Sequence, residues 1–304
     1  MATVRLATFN VENLFARFKF DKNIDPAQAI KDGWTAEQTS FDLASDDSKR
    51  ITGQAIKATK ADIVCLQEVE NLEALKRFRN VHVGGSKLFG WALSIEGNDP
   101  RFIDVGVLSK HPIVHARSYA HLREGRSALF SRDCLEVDVL VGSKTLTLFV
   151  QHYKSMMGGR KRTRPRRVLQ VNKTIEIVKD RFGAKPGNKP WVVLGDFNDY
   201  LQTDQEGTPA IDTIVNWDQV ENVVARMPAA EQWSHFYKDR NKYSQLDYLL
   251  PSKSLAGASS AVPEILRNGL PLRATAYAGP RFDGVGQDSP KASDHCPVIW
   301  DLKI

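Results

Sequence analysis

Pro190-Trp191-Val192-Val193-Leu194-Gly195-Asp196-Phe197-Asn198-Asp199 decides how this chain is read. Trp191 to Leu194 is an unbroken apolar run with two valines, the pattern of a strand covered on both faces, and it stops at a glycine followed by polar side chains. Side chains alternate along extended backbone, so Asp196 and Asn198 point one way and Phe197 the other. A carboxylate and an amide are thereby delivered together to the end of a buried strand. Alone, Gly-Asp-x-Asn is equally the sequence of an Asx turn. What gives it weight is that other strand ends carry similar polar residues.

Working outward, Leu135, Val137, Val139 and Val141 alternate with polar residues, and Gly142-Ser143 suits a two-residue hairpin into Thr145–Val150, which ends at Gln151-His152-Tyr153-Lys154-Ser155. Ala61–Leu66 is another apolar strand and ends at Gln67-Glu68; Thr3–Phe9 ends at Asn10. Gln245–Leu250 reads as a strand carrying Asp247, and Ser293-Asp294-His295-Cys296-Pro297 leads into the last strand. Asp294 and His295 both reach one site only if they lie in the turn before that strand. Helices are expected over Ile51–Lys60, around Leu72, Leu75 and Phe78, over Thr208–Val215, and from Pro165 through a stripe of Val168, Val171, Ile175, Val178 and Phe182. Residues 17–48 read as a loop-rich insertion and 266–290 as a long surface loop. With no repeat and no linker, a single domain over 1–304 is expected.

The 304 residues are 42% hydrophobic and 26% charged, ordinary for a soluble globular chain, and no apolar run is long enough to cross a bilayer. The N-terminus lacks the features of a secretion signal, so a cytoplasmic, monomeric protein without membrane association or an obligate protein partner is expected. Cys65, Cys134 and Cys296 have neither disulfide nor zinc-knuckle spacing and read as buried apolar residues. Of the net charge of +6, all is accounted for by the run Arg160-Lys161-Arg162-Thr163-Arg164-Pro165-Arg166-Arg167, an expected mobile, solvated loop with the form of a phosphate-polymer contact. Neither a Walker A sequence nor a Gly-x-Ser-x-Gly elbow is present.

Asn10, Glu68, His152, Asp196, Asn198, Asp247, Asp294 and His295 all fall at strand ends. If the strands form sheets packed face to face, these ends gather at one edge as a pocket of acids, amides and two imidazoles. Oxygen ligands without cysteine suit Mg²⁺ or Mn²⁺ rather than zinc, and Mg²⁺ keeps waters that a phosphate can replace. An aspartate can hold an imidazole in one tautomer, a job for which Asp247 and Asp133 are candidates.

The segments Thr8-Phe9-Asn10-Val11-Glu12-Asn13-Leu14, Leu66-Gln67-Glu68-Val69, His152-Tyr153-Lys154-Ser155, Gly195-Asp196-Phe197-Asn198, Leu246-Asp247-Tyr248 and Ser293-Asp294-His295-Cys296-Pro297-Val298 resemble, in order, the motifs of the endonuclease/exonuclease/phosphatase superfamily. The resemblance implies the DNase I-like fold, an α/β four-layer sandwich of two packed mixed β-sheets flanked by helices, and Mg²⁺-dependent phosphoester hydrolysis. It makes Glu68 the principal metal ligand, with Asn10 and Asp294 completing or supporting the shell. Asp196 would align or deprotonate the attacking water, Asn198 would contact a phosphate oxygen, His295 oriented by Asp247 would stabilise developing charge, and His152 would be the second imidazole on the phosphate.

The six-cation run beside His152 points to nucleic acid, DNA before RNA, with Lys154, Arg160, Lys161, Arg162, Arg166 and Arg167 as contacts and Arg101 as a further one. The alternatives are a phosphomonoesterase or lipid phosphodiesterase of the same superfamily, acting on a compound such as an inositol polyphosphate, and a non-catalytic nucleic-acid-binding protein. His82, His111, His115, His121 and His235 are read as structural.

Overall fold

The computed structural model describes residues 2–20, 36–40 and 46–304. Strands that are apolar on both faces need two covering layers each, and the chain meets this by packing two sheets on one another with helices outside. The strands of these sheets, in chain order, are β1 (Thr3–Leu14), β2 (Ile63–Val69), β3 (Trp91–Ser94), β4 (Asp104–Ser109), β5 (Ile113–Arg117), β6 (Leu135–Val141), β7 (Lys144–His152), β8 (Trp191–Asp196), β9 (Asp247–Pro251), β10 (Glu264–Ile265) and β11 (Val298–Lys303). One sheet runs β10-β11-β1-β2-β4-β3 and the other β9-β8-β7-β6-β5. Each has a single parallel pair, β1 with β2 and β7 with β8, among antiparallel neighbours.

Period-two alternation sorts the side chains into layers. Val4, Leu6, Ile63, Cys65, Val105, Val107 and Trp300 of the first sheet meet Val137, Leu148, Val150, Val192, Leu194 and Leu249 of the second in the central core. The opposite faces pack on helices. Ala7, Phe9, Val64 and Leu66 lie against Ile51, Ala55 and Ile56 of α1 (Asp46–Thr59) and Leu75 and Phe78 of α2 (Leu72–Phe78). Phe149, Trp191, Val193, Tyr248 and Leu250 lie against Val171, Ile175 and Val178 of α3 (Arg160–Phe182). Burying each such aliphatic side chain is worth about 1.5–3 kcal/mol, so the alternation locks the register of every strand. This is the expected four-layer sandwich, and all three cysteines are free and buried.

Three sequence readings need correction. α3 begins at Arg160, a turn and a half before Pro165, because Arg160 and Arg167 are two turns apart on one face and both close on Asp199. The short helix after β8 covers only Asp212–Val215. The segment 266–290 has no helix or strand, yet it is packed down: Leu270 and Ala274 join the central core, and Arg281 donates to the carbonyls of Leu270, Ala274 and Tyr277. The loop-rich insertion expected over 17–48 lies for the most part outside the described residues; within it the short strands Arg17–Phe20 and Ala36–Ser40 pair antiparallel. Among the described residues no helix is long and apolar enough to cross a membrane.

Candidate active site

The parity that builds the central core also aims the polar residues. Val192, Leu194 and Asp196 share the inner face of β8; Leu148, Val150 and His152 share that of β7; Asp247 and Leu249 share that of β9. Asn10 continues the inward series Val4, Leu6, Thr8 on β1. On β2 the inward series Ile63, Cys65 continues to Gln67, which bonds Thr8 Oγ1, so regular backbone would send Glu68 away from the site. The register between β2 and β4 shifts between Gln67 and Val69, and Glu68 takes a left-handed backbone, φ 66°. That bulge turns its carboxylate to the Asn10 side. Asn198, Glu12 and Asn13 are also left-handed, at φ 51°, 49° and 59°. Left-handed backbone at non-glycine residues costs free energy, and here it clusters where polar groups must converge. Gly195 has φ 139°, and a Cβ there would lie 2.0 Å from the Gln151 carbonyl oxygen, so the approach of β8 to β7 requires glycine.

Asn10 Nδ2 donates to Glu68 Oε1 at 3.3 Å and to Asp196 Oδ2 at 3.1 Å, linking acids from the two sheets. Asn198 donates to both Asp196 oxygens, from its backbone N at 2.8 Å and from Nδ2 at 2.9 Å. His152 Nε2 lies 3.4 Å from Asp196 Oδ2 and 3.9 Å from Glu68 Oε1, and His295 Nε2 is 3.8 Å from Asp196 Oδ2. His295 Nδ1 is 2.8 Å from Asp247 Oδ2, and the Ser234 hydroxyl donates to the same oxygen at 2.7 Å. Asp294 and His295 precede β11, in the turn that the sequence required. Asp294 sits beside the inner cluster: its backbone N donates to Glu12 Oε2 at 3.1 Å, Glu12 pairs with Lys291 at 2.7 Å, and His235 Nε2 is 3.8 Å from Asp294 Oδ2.

Burial and this crowding set the protonation states. Burial, reinforced by Asp247, pushes the Asp196 carboxyl up to about 7, against the pull of His295 and hydrogen bonds from Asn198 and Asn10. Burial works against the His295 imidazolium, but Asp247, Asp196 and Asp294 outweigh it and hold its pKa well above the ordinary value. His152 moves the other way: burial, then Arg132, His295 and Arg101, push it well below, so it is neutral. Among the described residues its Nδ1 has no hydrogen-bond partner, which puts the proton on Nε2, facing the two carboxylates. Burial opposes ionisation of Asp294, yet His235, Lys291 and His295 hold it well below the usual carboxylate range.

Other expectations fall differently. Asp133 orients neither imidazole; it accepts from the Tyr119 amide at 2.8 Å. Arg160 and Arg167 are buried on Asp199 at 2.7 and 3.2 Å and are structural, so the basic run is a helix start with only Lys161, Arg162, Arg164 and Arg166 presented outward to differing degrees. Arg101 is exposed but paired with Asp99 at 3.2 Å, and Lys154 is partly buried. His235 is not a remote structural residue: its ring lies 4.6 Å from that of His295. Arg132, which sequence reasoning passed over, is buried between Asp99, at 3.2 Å, and the Tyr153 carbonyl, directly after His152. Glu12 lay inside the first motif and Ser234 two strands away; nothing but the fold brings Ser234 to Asp247.

The donor set fits a hard divalent cation. Glu68, mostly buried, has no Lys or Arg within salt-bridge distance among the described residues; it accepts from Asn10 Nδ2 and the Asn13 backbone N and lies by the neutral His152 imidazole, so a bound cation would answer its charge. Acid and imidazole groups also converge as His235, Asp294 and His295 and as Asp196, Asp247 and His295, each with ligand atoms within 4.8 Å of one another.

Two mixed sheets with such an edge define a DNase I-like phosphoester hydrolase of a divalent-metal-dependent class. The chain belongs to the endonuclease/exonuclease/phosphatase family, whose pattern matches residues 7–295. Among solved structures, an endonuclease/exonuclease/phosphatase family protein from Bacteroides thetaiotaomicron superposes with a TM-score of 0.61 at 16% identity, covering 99% of this chain and 98% of that one. Beta toxin from Staphylococcus aureus gives 0.63 at 16%, covering 97% and 98%, and a mannosyl-6-phosphatase from B. thetaiotaomicron gives 0.58 at 17%, covering 99% and 100%. At these identities the likeness is one of fold. Comparison with curated proteins by sequence yields no significant match.

Proposed function

We propose that this chain is a phosphodiesterase that hydrolyses nucleic acid, DNA in the first instance, with Mg²⁺ or Mn²⁺ held by Glu68 and Asn10 and supported by Asp294. The observation that carries the hydrolytic reading is the meeting of Glu68, Asp196, His152 and His295 around one point, bridged by the Asn10 amide. A cation bound there would polarise the phosphoryl group and offset its developing charge.

The chain's own residues divide the remaining work. Asp196, poised near neutrality, takes the proton of the attacking water, with its oxygens fixed by Asn10 and Asn198. The His295 imidazolium, held by Asp247, and the Nε2–H of His152 donate to phosphoryl oxygens as charge builds. Lys154 and Arg101 lie near His152, and Lys161, Arg162, Arg164 and Arg166 at the α3 start, which are not fully buried, would add contacts along a phosphate chain.

One observation favours a second reading. With Arg160 and Arg167 committed to Asp199, two of six cations leave the polymer footprint, which suits a phosphomonoesterase or lipid phosphodiesterase better than the sequence did. The test is to incubate the protein and its Glu68→Ala and Asp196→Ala variants with supercoiled plasmid, single-stranded DNA, RNA and an inositol polyphosphate, with and without chelator. Metal-dependent nicking or strand cutting, lost in both variants, supports the nuclease reading. Phosphate release from the inositol compound alone replaces it with the second. Nucleic-acid binding with no hydrolysis of any substrate leaves a binding protein.

A further inference from the structure

We propose that the cavity beside the metal-side edge, between the turn Asp99–Phe102 and the start of β4, is a nucleobase subsite that takes an amino-bearing base next to the scissile phosphate, with Phe102 stacking on it. This rests on the nucleic-acid reading above. The cavity has a volume of about 320 Å³ and is lined by Asn71, Glu96, Gly97, Asn98, Asp99, Phe102 and Asp104 among others. That is at the lower end of the range for small-ligand sites and ample for one base.

Its position follows from the strand register. Asp104 pairs with Val69, the residue after Glu68, so Phe102 stands two residues beyond a position level with the proposed metal ligand. From the other sheet, Arg132 ties Asp99 to the carbonyl of Tyr153, next to His152. A phosphate held between Glu68 and His152 therefore has this turn as its neighbour along the strand register and through Arg132.

Phe102 carries the first argument. It is 69% exposed, and its backbone is left-handed at φ 57°. A bulky aromatic in that conformation costs free energy and gains nothing from burial, so neither stability nor packing accounts for it. The turn is nevertheless rigidly held: the Phe102 amide donates to the Asp99 carbonyl at 2.9 Å, and Asp99 is gripped by Arg101 and by buried Arg132. A flat apolar face is thus displayed at a fixed place beside the rim arginine. Aromatic faces so placed stack on the bases of single-stranded nucleic acid.

Asp104 carries the second. It is 3% exposed, and among the described residues its Oδ1 has no hydrogen-bond partner. Gly97 packs directly on this oxygen; a Cβ at 97 would stand 2.3 Å from it, so this close approach requires glycine. Burial pushes the Asp104 carboxyl up to about 7, against a pull from the Gly97 backbone N–H and with Asp133, Asp99 and Glu96 adding to the rise, so its ionised form is held at a cost that a further donated N–H would relieve. The ligand must bring donors, and exocyclic amino groups of adenine, cytosine and guanine do so, as carboxylates accept from cytosine N4. A metal ion fits less well: these carboxylates are not among the groups whose ligand atoms converge within 4.8 Å among the described residues, and Asp99 is already neutralised by two arginines.

The test uses the metal-loaded full-length protein and short single-stranded oligonucleotides with guanine, cytosine, thymine or an abasic residue at the position flanking one cleavable bond. Wild type, Phe102→Ala, Phe102→Tyr and Asp104→Asn are compared. Stacking and donor recognition predict that wild type prefers guanine and cytosine over thymine and the abasic site. Phe102→Ala should lower kcat/KM on the base-bearing oligonucleotides by roughly 5- to 150-fold, the usual worth of one stacked base, while leaving the abasic one unchanged. Phe102→Tyr should restore it, and Asp104→Asn should remove the preference for amino-bearing bases. Cutting without base preference, or a loss in Phe102→Ala that falls equally on the abasic oligonucleotide, overturns the subsite alone. No cutting of any oligonucleotide by wild type, with an inositol polyphosphate hydrolysed, overturns the nuclease reading on which it stands. Because Phe102 is exposed and strained, Phe102→Asn should raise Tm while lowering the same rate, a combination that a packing role would not give.

Discussion

Replacing Asp199 by asparagine separates the arginines that build the fold from those free to meet substrate. Asp199 is fully buried and receives Arg160 Nε at 2.7 Å, Arg167 Nε at 3.2 Å, the Tyr200 amide at 3.0 Å and the Ala210 amide at 2.7 Å. Asparagine keeps the shape but removes the charge that two buried guanidiniums share. Breaking a buried pair from one side costs about 3–5 kcal/mol. Arg160 retains Asp204 at 3.3 Å and the carbonyls of Gln202 and Gly207, so the lower end applies, about 3 kcal/mol. Urea unfolding followed by tryptophan fluorescence should show a lower midpoint with the slope unchanged. Lys161→Ala and Arg162→Ala, at exposed positions, should change stability by less than about 0.5 kcal/mol. If those cations meet nucleic acid, each substitution should instead weaken binding and reduce the salt dependence by about one. A loss under about 1 kcal/mol for Asp199→Asn, or an equal loss for Arg162→Ala, would refute the division.

Metal titration supplies a second check: Glu68→Gln should raise the Mg²⁺ or Mn²⁺ concentration needed for half-maximal activity by about 10- to 100-fold or more, and chelator should silence the wild type. Gly195→Ala should destabilise by roughly 2–4 kcal/mol in thermal unfolding, since the new methyl meets the Gln151 carbonyl and the backbone is left-handed. Asp104, raised to about 7 when folded, keeps a proton that the unfolded chain loses near 4. Its contribution therefore declines as pH rises from about 4 to about 7, and Asp104→Asn should be more stable than wild type at pH 8 by about 1 kcal/mol or more and not at pH 4.

The strands and most of the edge were legible because one signal, period-two alternation, fixes both. The residues that bury Val192 and Leu194 also aim Asp196, so reading the core reads the site. Where backbone departs from that period, the sequence is silent: nothing local in Gln67-Glu68-Val69 announces the bulge that turns Glu68 inward, and only the motif resemblance assigned it. The basic run misled because charge alone does not distinguish a solvated cation from one neutralised across the fold. The partner, Asp199, lies 32 residues beyond Arg167, just past the end of β8, and no local pattern links the two. His235 and Ser234 failed for the same reason, since their hairpin reaches the site by pairing with the Asp294–Cys296 segment rather than by ending a core strand.

Asn10, Glu68, Asp294 and His295 belong to the first sheet and its approaches, whereas His152, Asp196 and Asp247 belong to the second. Turnover consequently works as a gauge of how the two halves of the sandwich are aligned. A slide of one layer over the other by about 1 Å, too small to expose a tryptophan or melt a strand, can cost about 100-fold in rate. Inactivation by mild heat, pressure or denaturant should run ahead of every spectroscopic sign of unfolding, and trimming an inter-sheet aliphatic such as Val150 should slow the reaction without altering any group that takes part in it.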